Sequence, residues 1–167
     1  DADISALNSA ASAAHRAVVF DELFYLQLGI ALRRRQAVRE EGLSIAPGPL
    51  VRRLHQILPF RLTGAQDRVV DAIFRDMRAT TPMNRLVQGD VGSGKTIVAF
   101  FSALAALDSG YQVAFMAPTE LLAEQHYRTL SPLAVQLGIS VVLLTGDIRP
   151  KHKQEIYGSL MRGDVEI

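Results

Sequence analysis

Gly89-Asp-Val-Gly-Ser-Gly-Lys95-Thr96 is the stretch of this chain with the clearest chemical content. Its spacing is G-x-x-x-x-G-K-[ST], and each fixed position has a mechanical reason. Gly89, Gly92 and Gly94 let the backbone turn into a concave loop whose N–H groups face inward, toward phosphate oxygens. Asp90, Val91 and Ser93 occupy the variable positions of the same cradle. A helix beginning at Lys95 sets the positive end of its dipole beneath the anion. Lys95 reaches the β- and γ-phosphates as a mobile point charge. Thr96 offers its hydroxyl to a Mg2+ ion that bridges the phosphates and keeps most of its waters. Lys95 and Thr96 are thus the candidate catalytic residues, with Thr96 the metal contact through the nucleotide.

Such a loop works only between a strand and a helix, and the flanking sequence supplies both. Arg85 to Gln88 reads as a short strand, and Lys95 to Asp108 as a helix apolar on nearly every face that stops at Gly110. Gln112 to Ala117 and Ile139 to Thr145 read as further strands, and Val165 opens a fourth. Thr119 to Leu137 and Pro150 to Arg162 read as crossover helices, the first kinked or restarted at Pro132. Upstream, Thr63-Gly-Ala-Gln66 matches a capping box before a helix to about Arg78. Strand alternating with helix predicts an α/β fold, a parallel sheet covered by helices.

Residues 1–58 have a different rhythm. Ala10 to Glu41 reads as one long helix, with Phe20, Phe24 and Leu28 on a stripe widened by Leu23, Leu26 and Ile30. Arg33, Arg34, Arg35 and Arg39 suit a helix C-terminus before Gly42, either as a solvated face or as a DNA contact. Residues 42–49 read as a linker, and Leu50 to Leu58 as a short amphipathic helix. The expected division is therefore a helical lead-in over 1–58 and a nucleotide-binding domain over 59–167.

Composition narrows the class. The chain has 167 residues, 49% of them hydrophobic, with 18 basic and 17 acidic side chains and a net charge of +1. Near-neutral balance argues against a polycation that coats nucleic acid or anionic membrane, so DNA binding has to be local. Without cysteine there is neither a disulfide framework nor a thiolate zinc site. The apolar run Ile97 to Leu107 is too short for a bilayer, which needs about 20 residues. No signal peptide opens the chain, and its first residue, Asp1, suggests a piece of something longer. A cytoplasmic protein with no membrane partner is expected.

Two further segments resemble the motor ATPases of helicase superfamily 2. Phe60-Arg-Leu-Thr-Gly-Ala-Gln66 is similar to their Q motif. The resemblance implies that the Gln66 amide accepts from adenine N6 and donates to N7, which makes ATP the nucleotide. The alternative is that Gln66 merely completes its capping box, since one amide can hardly serve both roles fully. Ala117-Pro-Thr-Glu-Leu-Leu-Ala-Glu-Gln-His126 resembles motif Ia. That implies DNA-phosphate contacts from Pro118, Thr119 and Gln125, where an ordinary N-cap at Thr119 is the alternative.

Met83 to Thr96 together with Ala117 to Tyr127 most resemble the RecG-like family of ATP-dependent DNA helicases. Arg16-Ala-Val-Val-Phe-Asp-Glu-Leu-Phe24 is similar to that family's helical lead-in. The related transcription-repair translocases typically carry an aromatic at Ser93 and threonine at Glu120. Resemblance implies a protein that remodels stalled forks and Holliday junctions, with a second motor domain and a wedge domain as partners in the same chain. It also implies phosphate contacts from Thr145, Gly146 and Arg149. There the sequence departs from the family's Thr-Gly-Ser by placing Asp147, whose carboxylate opposes a phosphate. A working motor further needs an acidic Asp-Glu-x-His/Gln string to orient the attacking water, and none occurs in these residues. Asp147 is no substitute, because Thr145-Gly146 separates it from its apolar run. The chain by itself is expected to bind nucleotide weakly and turn over none. The competing reading is a non-catalytic nucleotide-binding module.

Overall fold

Apolar residues at helical spacing turn most of the described residues into helices. The computed structural model describes residues 12–37 and 41–167. It separates into two compact units, Asp1–Gly42 and Leu43–Ile167. In the first, α1 runs Ala13–Ala37. The outer parts of the expected helix, Ala10 and residues 38–40 with Arg39, lie outside the described residues. Phe20 and Phe24, one turn apart, stack with ring centroids 5.8 Å apart. The expected stripe, however, is not a buried face. Phe20, Leu23, Phe24, Leu26, Leu28 and Ile30 are all exposed, and apolar residues lie around the whole helix.

The second unit begins with the stretch read as a linker, and the structure pins it. Ile45 N–H donates to Met77 O at 2.8 Å, and Ala46 N–H to Ser109 Oγ at 3.1 Å. Gly48, Leu50 and Val51 N–H all donate to the Asp108 carboxylate, at 2.7, 2.9 and 3.2 Å. A helix start leaves orphan N–H donors. Here an acid from a distant helix end caps α2 (Pro49–Ile57), which begins without a side-chain cap of its own. A Cβ on Gly48 would come within 2.9 Å of Asp108 Cγ, so this approach requires glycine.

Helix α3 (Gly64–Met77) starts at Thr63 with the complete capping box. Helix α4 (Lys95–Asp108) is the central element, with Phe100, Phe101, Leu104 and Ala105 fully buried. It packs against α2 and α3, and α2 also packs against α5 (Glu120–Leu137). The core joins Leu54, Val70, Ile73, Phe100, Phe101, Leu104, Leu130, Ala134 and Leu137. Helix α5 continues through Pro132 as one element. Arg53 on α2 caps its end, donating to Leu137 O at 3.2 Å and Gln136 O at 3.1 Å. Helix α6 (Pro150–Arg162) starts on proline and stops at Gly163 in the left-handed region.

The expected strands differ from what is observed. Among the described residues no β-strand is formed over 85–88, 112–117, 139–145 or from Val165. What exists is scattered pairing. Val113 N–H donates to Glu166 O at 2.9 Å, Glu166 N–H to Ser140 O at 3.1 Å, and Val142 N–H to Ile167 O at 2.8 Å. These bonds set residues 166–167 between the other two segments, but they do not repeat in the register that makes a ladder. Among the described residues Arg85–Gln88 makes no backbone bond to either segment.

Candidate functional site

The loop sits at the N-terminus of the buried helix α4. Gly92 and Gly94 take φ of +79° and +83°, in the left-handed region that admits glycine without strain. Gly89 serves a different need, because a Cβ there would lie 2.8 Å from Ser93 Oγ. Ser93 N–H closes a turn onto Asp90 O at 3.2 Å. Among the described residues, the N–H groups of Gly92, Gly94, Lys95 and Thr96 donate to no protein acceptor. Four uncommitted donors beside a helix N-terminus make a cradle that fits phosphate oxygens.

Lys95 is exposed, and its ammonium donates to Gly89 O at 2.7 Å and Asp90 O at 2.8 Å. It therefore spans the loop it is expected to serve, and an ammonium keeps a third donor for phosphate. The half-buried Thr96 hydroxyl has no protein partner among the described residues, which suits a magnesium contact through the nucleotide. No cluster of three or more His, Asp or Glu that could hold a metal exists among the described residues. Asp90 and Val91 lie on the exposed crest of the loop.

Gln66 is where sequence left two roles in competition, and the structure shows how its amide is used. Its Oε1 accepts from Thr63 N–H at 2.8 Å, and its Nε2 donates to Ser93 O at 2.9 Å. Thr63 Oγ1 accepts from Gln66 N–H at 3.3 Å, completing the box. An amide has two N–H donors and two acceptor lone pairs, so one of each remains. The capping box therefore leaves Gln66 able to face an adenine edge. Phe60, half exposed, sits just before the helix that carries Gln66.

The residues expected to hold DNA form a different environment. Thr119 is an N-cap, accepting from Leu122 N–H at 3.3 Å. Glu120 reaches across to the turn after residue 144, and its Oε1 accepts from Gly146 N–H at 2.7 Å. The structure thus ties the Gly146 turn to Glu120, the neighbour of Thr119, through a carboxylate contact that sequence reasoning missed. Thr145 Oγ1 donates to Asp147, and Gly146 O accepts from Lys153 Nζ at 2.9 Å. Pro118, Gln125 and Arg149 are exposed, and Arg149 precedes the first residue of α6. Ser93 O was missed as well. Its partner stands 27 residues away in the chain, and no local pattern marks such a contact. An apolar hollow of about 380 Å3, lined by Phe115, His126, Leu130, Val141 and Leu143, belongs to neither site.

Residues 63–166 match the family model described as DEAD/DEAH box helicase. The chain is 42% identical over 168 residues to the ATP-dependent DNA helicase RecG of Aquifex aeolicus, covering 100% of this chain and 21% of that protein. It is 50% identical over 158 residues to the same-named protein of Synechocystis sp., covering 93% and 19%. Against that of Bacillus subtilis it is 42% identical over 156 residues, covering 92% and 23%. The chain thus spans about a fifth of the length of these curated relatives.

Proposed function

Because this chain belongs to the DEAD/DEAH box helicase family, which implies a P-loop NTPase fold, we propose that it is the nucleotide-binding part of an ATP-dependent DNA helicase of the RecG kind. The observation that carries the reading is the cradle of uncommitted N–H groups over Gly92–Thr96, with Lys95 across it and Gln66 at its edge. Residues 59–167 are part of a first motor domain, and residues 1–58 lead into it. Residues 85–88, 112–117, 139–145 and the segment from Val165, which form no strand in this structure, are assigned to the sheet positions of that domain. The cross-segment bonds at Val113, Val142 and Glu166 support that assignment.

In this reading Lys95 neutralises β- and γ-phosphate charge, and the loop N–H groups hold the oxygens in fixed positions. Gln66 reads the adenine edge, while Phe60 lies close enough in sequence to flank the base. Mg2+, reached through Thr96 and the phosphates, would neutralise further charge. The whole protein works on branched DNA such as stalled forks and Holliday junctions, in recombination and repair. Its second motor domain and wedge domain complete the machine, and its place is the cytoplasm. Among the described residues no helix is long and apolar enough to cross a membrane. Lacking the acidic Asp-Glu-x-His/Gln string, the chain alone should bind nucleotide weakly and turn over none. The names of the Aquifex aeolicus and Synechocystis sp. relatives, each an ATP-dependent DNA helicase, do not favour a non-catalytic regulatory module.

The test is titration calorimetry of the chain with ATP and ADP in Mg2+, beside a Lys95→Ala variant. Nucleotide binding that the substitution abolishes is expected. Equal affinity in the variant would remove the loop from nucleotide binding.

A further inference from the structure

Gln66 does more at this site than face a base. Its Nε2 donates to the carbonyl of Ser93, inside the phosphate loop, at 2.9 Å. Ser93 O and Gly94 N–H belong to one peptide unit, and the chain has no cis peptide among its described residues. In a trans peptide, C=O and N–H point in opposite directions. Holding Ser93 O toward Gln66 therefore turns Gly94 N–H away from Gln66. That N–H is one of the donors with no protein acceptor among the described residues. The approach is close, since a Cβ on Gly94 would lie 2.3 Å from Gln66 Nε2. The other end of the amide is held by Thr63 N–H at 2.8 Å, so the side chain is anchored at both ends.

We infer that Gln66 is a positioning residue for phosphate as well as a reader of adenine: its bond to Ser93 O fixes the Ser93–Gly94 peptide so that Gly94 N–H faces the phosphates. Without that bond this peptide unit can turn about Ser93 ψ and the glycine φ of Gly94, and the cradle loses a preset donor. The inference rests on the nucleotide-binding reading and extends it from the base to the triphosphate. Adenine and phosphate binding are then coupled, because one side chain faces the base and holds the peptide that faces the phosphates.

Inorganic tripolyphosphate is the discriminating probe, since it has phosphates and no base. Its affinity for the chain, with those of ATP and GTP, would be measured for wild type, Gln66→Ala and Thr63→Ala. Thr63→Ala removes the hydroxyl half of the capping box and keeps the amide that holds Ser93. Gln66→Ala should weaken tripolyphosphate and GTP by roughly two- to tenfold, the range for one hydrogen bond, and ATP by more. Thr63→Ala should leave tripolyphosphate within about twofold of wild type. Loss of ATP alone in Gln66→Ala would show that the residue reads the base only. Equal tripolyphosphate losses in the two variants would assign the effect to helix capping, and either result overturns the inference. In wild type, the Gln66 side-chain amide resonances should shift when tripolyphosphate is added, and unchanged resonances overturn it without any variant having to fold. A wild-type chain that binds none of the three ligands overturns the nucleotide reading itself, and the inference with it.

Discussion

The phosphate loop and the rim built from Thr119–Glu120 and Thr145–Gly146 both present backbone N–H groups beside a helix start, yet their donors are disposed of differently. In the loop, Gly92, Gly94, Lys95 and Thr96 N–H have no protein acceptor among the described residues, and the Lys95 ammonium spans the loop. At the rim, Gly146 N–H already serves the Glu120 carboxylate, and the Thr145 hydroxyl already serves Asp147. Two motif-like strings thus have opposite readiness for an anion. A phosphate entering the loop meets unpaired donors and a cation. A phosphate approaching the rim has to displace one carboxylate and pass another. Availability of donors, and not their mere presence in a motif, decides where an anion binds tightly.

The contrast can be broken at several points, the largest at Lys95. Lys95→Ala should lower ATP affinity by about 10- to 100-fold or more, as expected for losing a charged hydrogen bond to phosphate. The exposed side chain makes its folding cost small, so circular dichroism should be unchanged. Retained affinity in calorimetry would mean that the loop is no better an anion site than the rim.

Gly94→Ala comes next. The left-handed φ of +83° costs a non-glycine residue roughly 1–2 kcal/mol, and the new Cβ collides with Gln66 Nε2. A lower thermal midpoint together with weaker nucleotide binding is expected. An unaltered midpoint would show that the loop is looser than its geometry indicates.

At the rim the expected change has the opposite sign. Glu120→Ala frees Gly146 N–H and removes a negative charge, so affinity for duplex DNA in low salt should rise by about two- to tenfold. Fluorescence anisotropy would register this, and unchanged or weaker binding would show that Glu120 does not guard the rim. The smallest effect concerns salt. Thr119→Ala combined with Arg149→Ala should weaken binding across all DNA sequences, and the loss of Arg149 should flatten the log–log salt slope by about 0.9. An unchanged slope would move the DNA path away from this rim.

How much of this was legible in the sequence depends on the distance over which each feature is decided. The capping box of Thr63 and Gln66 is set within one helical turn, and it formed as read. The helices Lys95–Asp108 and Pro150–Arg162 have the expected bounds, because apolar spacing, Pro150 and the glycines that follow act locally. The stripe on α1 was read from the same spacing. Burial, however, needs a second surface as well as a pattern, and its apolar residues are exposed. Residues 42–49 have a linker's composition, yet Asp108, some 60 residues later, orders them.

By itself the sequence determined what short-range sterics and hydrogen bonding control: glycines able to take positive φ, a lysine and threonine after the last of them, and a self-capping helix start. Tertiary structure decided which polar groups those elements leave for a ligand. Gln66 meets Ser93 across 27 residues and Glu120 meets Gly146 across 26, and each contact settles the partner of a donor or acceptor already present. Pairing among the segments around Val113, Ser140 and Glu166 is likewise a matter of register between distant pieces of chain. Alternating residues can favour a strand, but its hydrogen bonds come from another segment.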